Sequence, residues 1–173
     1  ATASQAICAG EKVTLTASGT STSYAWSPGG STSESIEVSP SETTTYTVTG
    51  TDANGCTNTD QVNITVNQLP TVNAGNDQII CEGTSIGLTA TGALNYTWSN
   101  GVSNGSTFTP TATATYTVIG TDVNGCENTD QIIITVDPLP LVVAGNDQTI
   151  CEGTSITLAG AGASSYSWNN GVL

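Results

Sequence analysis

The sequence predicts an all-β chain made of tandem two-sheet antiparallel sandwiches, each about 70 residues long. Three observations carry that reading: the chain matches itself at a fixed offset, apolar and polar residues alternate at period two, and turn residues punctuate the alternation.

The self-match is explicit. Thr45-Tyr46-Thr47-Val48 and Thr51-Asp52-Ala53-Asn54-Gly55-Cys56 return as Thr115-Tyr116-Thr117-Val118 and Thr121-Asp122-Val123-Asn124-Gly125-Cys126, an offset of 116 − 46 = 70. Ala74-Gly75-Asn76-Asp77-Gln78 before Cys81 returns as Ala144-Gly145-Asn146-Asp147-Gln148 before Cys151, again 151 − 81 = 70. Trp26, Trp98 and Trp168 mark three copies. Copy one spans 1–70, copy two 71–140, and copy three 141–173 stops just past its tryptophan. The last copy thus lacks the second half of a sheet, and the chain reads as a segment of something longer.

Within copy one, Val13, Leu15 and Ala17 share a face, as do Tyr24 with Trp26, Ile36 with Val38, Tyr46 with Val48, and Val62 with Ile64 and Val66. Copy two matches with Ile86 and Leu88, Tyr96 and Trp98, Phe108, Tyr116 and Val118, and Ile132, Ile134 and Val136. Threonines fill many intervening positions, where a β-branched polar side chain suits the wet face of a strand. Trp26, Trp98 and Trp168, with Tyr46 and Tyr116, are the expected core aromatics. No segment has a helical period. Asn54-Gly55 and Asn124-Gly125 predict type I′ hairpin turns. Pro28-Gly29-Gly30 and Asn100-Gly101 end the tryptophan strands, and Asn169-Asn170-Gly171 occupies the same place in copy three. Proline at 70, 138 and 140 predicts short, stiff links between copies.

Composition narrows the function. The net charge is −13, with fourteen acids, a single base (Lys12) and no histidine. Nucleic-acid binding requires a basic patch, and docking to anionic membranes requires the same. Neither partner is expected, nor is direct membrane insertion, because no apolar run reaches the length of a span. The scattered acids read as a solvated, self-repelling surface.

The five cysteines sit at repeating positions and predict structural disulfides in an oxidising compartment. Each full copy has one cysteine near its first strand and one after the Asn-Gly turn. The expected staples are therefore Cys8–Cys56 and Cys81–Cys126, one per copy, with Cys151 left unpaired. Loop closure of this length could contribute about 4 kcal/mol. A cysteine metal site would need tighter clustering.

Taken together, Tyr24-Ala25-Trp26-Ser27-Pro28-Gly29, Thr45-Tyr46-Thr47-Val48, Thr51-Asp52-Ala53-Asn54-Gly55 and the Ala74–Gln78 element resemble immunoglobulin-like, PKD-related repeats of large Bacteroidetes surface adhesins. The acidic turn usual after the PKD tryptophan is replaced here by Ser27-Pro28-Gly29, Ser99-Asn100-Gly101 or Asn169-Asn170-Gly171. The resemblance implies an immunoglobulin-like sandwich, export, and attachment to the bacterial cell surface or assembly into surface fibres.

Catalysis is not expected. Without histidine there is no Ser-His-Asp or Cys-His arrangement, and Asp52, Asp60, Asp122 and Asp130 stand in or beside hairpins, where Asp is a common turn residue. No cofactor is expected. Asp77 and Asp147, close to the copy boundaries, are the candidate calcium ligands, against the alternative that Asn76-Asp77 and Asn146-Asp147 simply form turns. The favoured function is a stalk or fibre segment that gives length and stiffness, with neighbouring repeats as partners. One alternative is a repeat-borne carbohydrate- or protein-binding module, using the stretches Pro28 to Glu34 and Asn100 to Ser106, where the copies differ most. A second is a filament subunit completed by a strand from another copy of the chain.

Overall fold

The computed structural model describes residues 2–169. Strands β1 (Gln5–Cys8), β2 (Val13–Thr16), β3 (Ser23–Ser27), β4 (Ser35–Val38), β5 (Thr44–Thr51) and β6 (Thr57–Asn67) belong to copy one. Strands β7 (Gln78–Cys81), β8 (Ile86–Gly87), β9 (Asn95–Trp98), β10 (Thr107–Phe108), β11 (Ala114–Thr121) and β12 (Glu127–Asp137) belong to copy two. Each set forms an immunoglobulin-like sandwich. A four-stranded sheet, ordered β1-β6-β5-β3 or β7-β12-β11-β9, faces a two-stranded sheet, β2-β4 or β8-β10. A single 3₁₀ turn, Ser99–Gly101, is the one helical element among the described residues.

The period-two pattern explains the packing. Along β6, Val62, Ile64 and Val66 turn inward while the residues between them lie toward solvent. In copy one they meet Leu15, Ala17, Trp26, Tyr46 and Val48 in one buried cluster. In copy two Leu88, Trp98, Tyr116, Val118, Ile132 and Ile134 form a separate one. Trp26 is 1% exposed and Trp98 5%, so each sandwich buries its indole. Phe108 tilts against Tyr116 with ring centroids 5.1 Å apart. Trp168 is only half-buried, and Leu158, counterpart of Leu88, is 41% exposed. Among the described residues of copy three the one ladder contact is the bridge Val143–Ala161.

Two expectations are corrected by the backbone. The sheets are not wholly antiparallel: β1 runs parallel to β6, with Cys8 opposite Asn67, and β7 runs parallel to β12, with Cys81 opposite Asp137. The Asn-Gly turns are not type I′. That turn needs positive φ at both central residues, yet only Gly55 (φ 85°) and Gly125 (φ 83°) have it; among the described residues Asn100 is the one non-glycine with positive φ. The chain instead makes a longer loop closed by Asp52 N–H to the Cys56 carbonyl (2.9 Å) and Gly55 N–H to the Asp52 carbonyl (3.1 Å). The expected turn at Asn169-Asn170-Gly171 falls outside the described residues beyond Asn169.

Candidate functional site

The distinctive chemistry of the molecule lies at the joint between its two sandwiches. The direction and register of β1 decide it. Because β1 is parallel to β6, Cys8 lies beside Asn67, the last residue of β6. Cys56 stands just before Thr57, the first residue of the same strand. Ten residue steps, 67 − 57, separate those two ends, a span of about 33 Å along a strand. Disulfide formation needs Cα atoms within about 7 Å. The staple Cys8–Cys56 is therefore impossible in this fold, and Cys81–Cys126 fails identically, since Cys81 is opposite Asp137 and Cys126 precedes Glu127.

Each copy thus presents its first-strand cysteine where the chain leaves and its hairpin cysteine where the chain arrives. The end of one copy meets the beginning of the next, and Cys8 bonds Cys126, across 118 residues and with Cα atoms 5.5 Å apart. This replaces the expected staple inside each copy. Cys56 and Cys81 are exposed free thiols, as is Cys151.

Short contacts reinforce the bond. Asn128 Nδ2 donates to the Pro70 carbonyl at 3.0 Å, and Cys126 Sγ lies 4.0 Å from the Asn67 carbonyl. Leu69, Gly10 and Glu11 line the same crevice beside Gly125 and Glu127. Cys126 is 0% exposed. Its hairpin is fixed by Asp122, whose Oδ1 accepts from Asn124 N–H and Cys126 N–H, both at 2.8 Å. Burial works against the Asp122 carboxylate, but the N–H groups of Cys126 and Asn124 outweigh it and hold its pKa below the ordinary range. Asp52 does the same structural work in copy one, accepting from Asn54 N–H at 2.8 Å and Cys56 N–H at 2.9 Å.

The other predicted residues take structural places. Asp77 Oδ1 accepts from Ile133 N–H at 2.8 Å, tying the start of β7 to β12. Its counterpart in copy one, at 77 − 73 = 4, is Ser4, whose hydroxyl accepts from Asn63 N–H at 3.2 Å. A serine fills the role, so the position calls for an acceptor rather than a charge. Asp147 is exposed. No cluster of three His, Cys, Asp or Glu side chains with metal-binding geometry occurs among the described residues. Sequence reasoning gave Asp130 a turn role, but it lies within β12 and its Oδ2 accepts from the N–H of Ala74 at 2.8 Å. The signal was its recurrence with Asp60.

The divergent stretches after the tryptophans serve the indoles. Trp26 Nε1 donates to the Ser33 carbonyl at 2.9 Å, and Trp98 Nε1 donates to Asn104 Oδ1 at 3.0 Å. Asn104 Oδ1 also accepts from Ala90 N–H at 2.8 Å.

No family model matches the chain, and no curated protein matches it. Among solved structures it is similar to Sidekick-1 immunoglobulin domains 1–4, at 17% identity and TM-score 0.34, covering 84% of this chain and 52% of that one. It is also similar to the insect immune protein hemolin, at 13% identity and TM-score 0.41, covering 79% and 45%. The fibronectin(III)-like modules of Clostridium thermocellum CbhA match at 13% identity and TM-score 0.34, covering 79% and 90%. The chain spans about half the length of the first two. Its immunoglobulin-like class rests on its own sheet order and paired cores.

Proposed function

We propose that this chain is a spacer segment of an extracellular tandem-repeat protein, a stalk whose repeats run 1–70, 71–140 and onward from 141. The observation that carries this reading is the Cys8–Cys126 disulfide, which crosses from one sandwich to the next. A disulfide inside a domain stabilises that domain. One placed across a joint adds little to either core and instead fixes the angle between neighbours. Stiffness along the chain is what a stalk requires.

Supporting features agree. Structural disulfides belong to oxidising compartments. The net charge of −13 makes successive repeats repel and extend. The loops with most freedom to vary turn polar groups toward their own tryptophans. The sequence resemblance to Bacteroidetes surface adhesins supports a bacterial cell-surface location, with the spacer holding a binding tip away from the cell.

Small-angle X-ray scattering of the chain before and after reduction tests the proposal. A narrow distribution of inter-repeat angles that broadens on reduction is expected. Equal breadth in both states, or saturable glycan binding by the oxidised chain, would count against a spacer.

A further inference from the structure

The joint is built from parts that recur elsewhere in the chain. Cys81 ends β7 opposite the last residue of β12, as Cys8 ends β1 opposite the last residue of β6. Cys56 immediately precedes β6, as Cys126 immediately precedes β12. Asn58 and Pro140 repeat Asn128 and Pro70 at an offset of 70. Asn58 Oδ1 holds the Thr59 N–H at 2.9 Å, the contact Asn128 makes with Thr129. Both hairpins carry the same Asp clamp. The state of the sulfurs differs, since Cys56 and Cys81 are exposed thiols and Cys126 is 0% exposed.

We propose that Cys81 and Cys56 are the two open halves of this joint. Cys81 takes the hairpin cysteine of a following repeat of this kind, and Cys56 takes the first-strand cysteine of a preceding one. Each sandwich is then crosslinked to both neighbours and never to itself. The inference rests on the tandem spacer reading and makes the staple a periodic one. The partner is a repeat bearing an Asp-x-Asn-Gly-Cys hairpin at one end and a Cys-x-Gly first-strand end at the other.

The bond forms by thiol–disulfide exchange with a small-molecule disulfide. One cysteine thiolate attacks a sulfur of that oxidant and releases one thiol. The second cysteine thiolate then attacks the mixed disulfide and releases the other. Two cysteine thiols are oxidised, the oxidant is reduced to two thiols, and the two protons end on those leaving thiols.

Two lengthened chains, refolded in glutathione/glutathione disulfide and peptide-mapped without reduction, test the inference. In the first, residues 104–140 are appended after residue 173, which completes copy three. In the second, residues 71–143 are placed before residue 1, so that Val143 precedes Ala1 as Asn73 precedes Ala74. The expected results are a bond from Cys81 to the appended copy of Cys126, and a bond from Cys56 to the prepended copy of Cys81. Cys8–Cys126 persists in both. Cys81→Ser in the first chain should leave the appended hairpin cysteine open to alkylation, whereas Cys151→Ser should leave the crosslink intact. A bond between Cys151 and the appended hairpin cysteine overturns the proposal, as does full alkylation of Cys81 in the first chain or of Cys56 in the second. In either case a surviving Cys8–Cys126 bond keeps the spacer reading alive. Absence of Cys8–Cys126 from the unextended chain would remove both.

Discussion

Each core tryptophan carries an indole N–H that burial takes away from water, and the two copies satisfy it by different means. Copy one uses a backbone carbonyl, that of Ser33, and copy two uses a side chain, that of Asn104. Substitution should therefore separate them. Asn104→Ala leaves both Trp98 Nε1 and Ala90 N–H unpaired, and should destabilise copy two by about 1–3 kcal/mol in urea titrations. Ser33→Ala keeps the accepting carbonyl, and should change stability by less than about 0.5 kcal/mol. Asp130 gives a pH signature. The N–H groups of Ala74 and Gln131 lower its pKa in the folded state. Its stabilisation is thus fully present above the unfolded aspartate value and lost as pH falls through the lower folded value. Urea stability of the parent chain should decline on acidification below about pH 4, and Asp130→Asn should show a shallower decline over the same interval. Equal slopes would show that Asp130 contributes no such linkage.

Among the strand elements, the decisive one is the short first strand of each copy. Its anchor is a single acceptor at its start, Ser4 in copy one and Asp77 in copy two. Asp77→Ser should therefore be nearly silent, whereas Asp77→Val should cost about 0.5–1.5 kcal/mol by removing the acceptor for Ile133 N–H. Because a hydroxyl can replace the carboxylate, millimolar calcium and chelator should give the same melting temperature; a calcium-dependent rise lost in Asp77→Ser would restore the metal reading. Most of the architecture was legible in the alternation of residues such as Val62, Ile64 and Val66, since a half-buried strand imposes that period directly. The disulfide was not. Strand pairing leaves no mark on periodicity: Gln5–Cys8 reads identically whichever end of β6 it pairs with and in whichever direction, and its parallel register against Ile64–Asn67 places Cys8 far from Cys56. The hairpins were legible as turns but not in type. Asp52 and Asp122 clamp the loop by accepting from the N–H groups of its own Asn and Cys, an arrangement that leaves Asn54 and Asn124 at ordinary φ.

For the whole molecule, the consequence of a crosslink depends on what it spans. A staple inside one sandwich would lower the entropy of that sandwich's unfolded chain, and its loss would be felt as melting of that core. Cys8–Cys126 joins two separately packed cores. Breaking it leaves every residue of both clusters in place and removes a tether between them. Cys8→Ser should therefore keep native tryptophan fluorescence and strand circular dichroism at room temperature. The Asn128–Pro70 hydrogen bond and the Cys126 Sγ contact with the Asn67 carbonyl are then left at the joint, and one hydrogen bond of that kind is worth only about 1 kcal/mol. The sandwiches should begin to reorient, read as divergent alignment tensors for the two halves in residual dipolar couplings, where the oxidised chain fits one tensor. Retention of a single tensor after Cys8→Ser would show that packing around Leu69 and Pro70, rather than the sulfur bridge, sets the angle. Global unfolding of both cores would show that the sandwiches depend on the joint for stability. Loss of the common tensor with both cores intact is the outcome that a covalent brace between otherwise self-sufficient repeats requires.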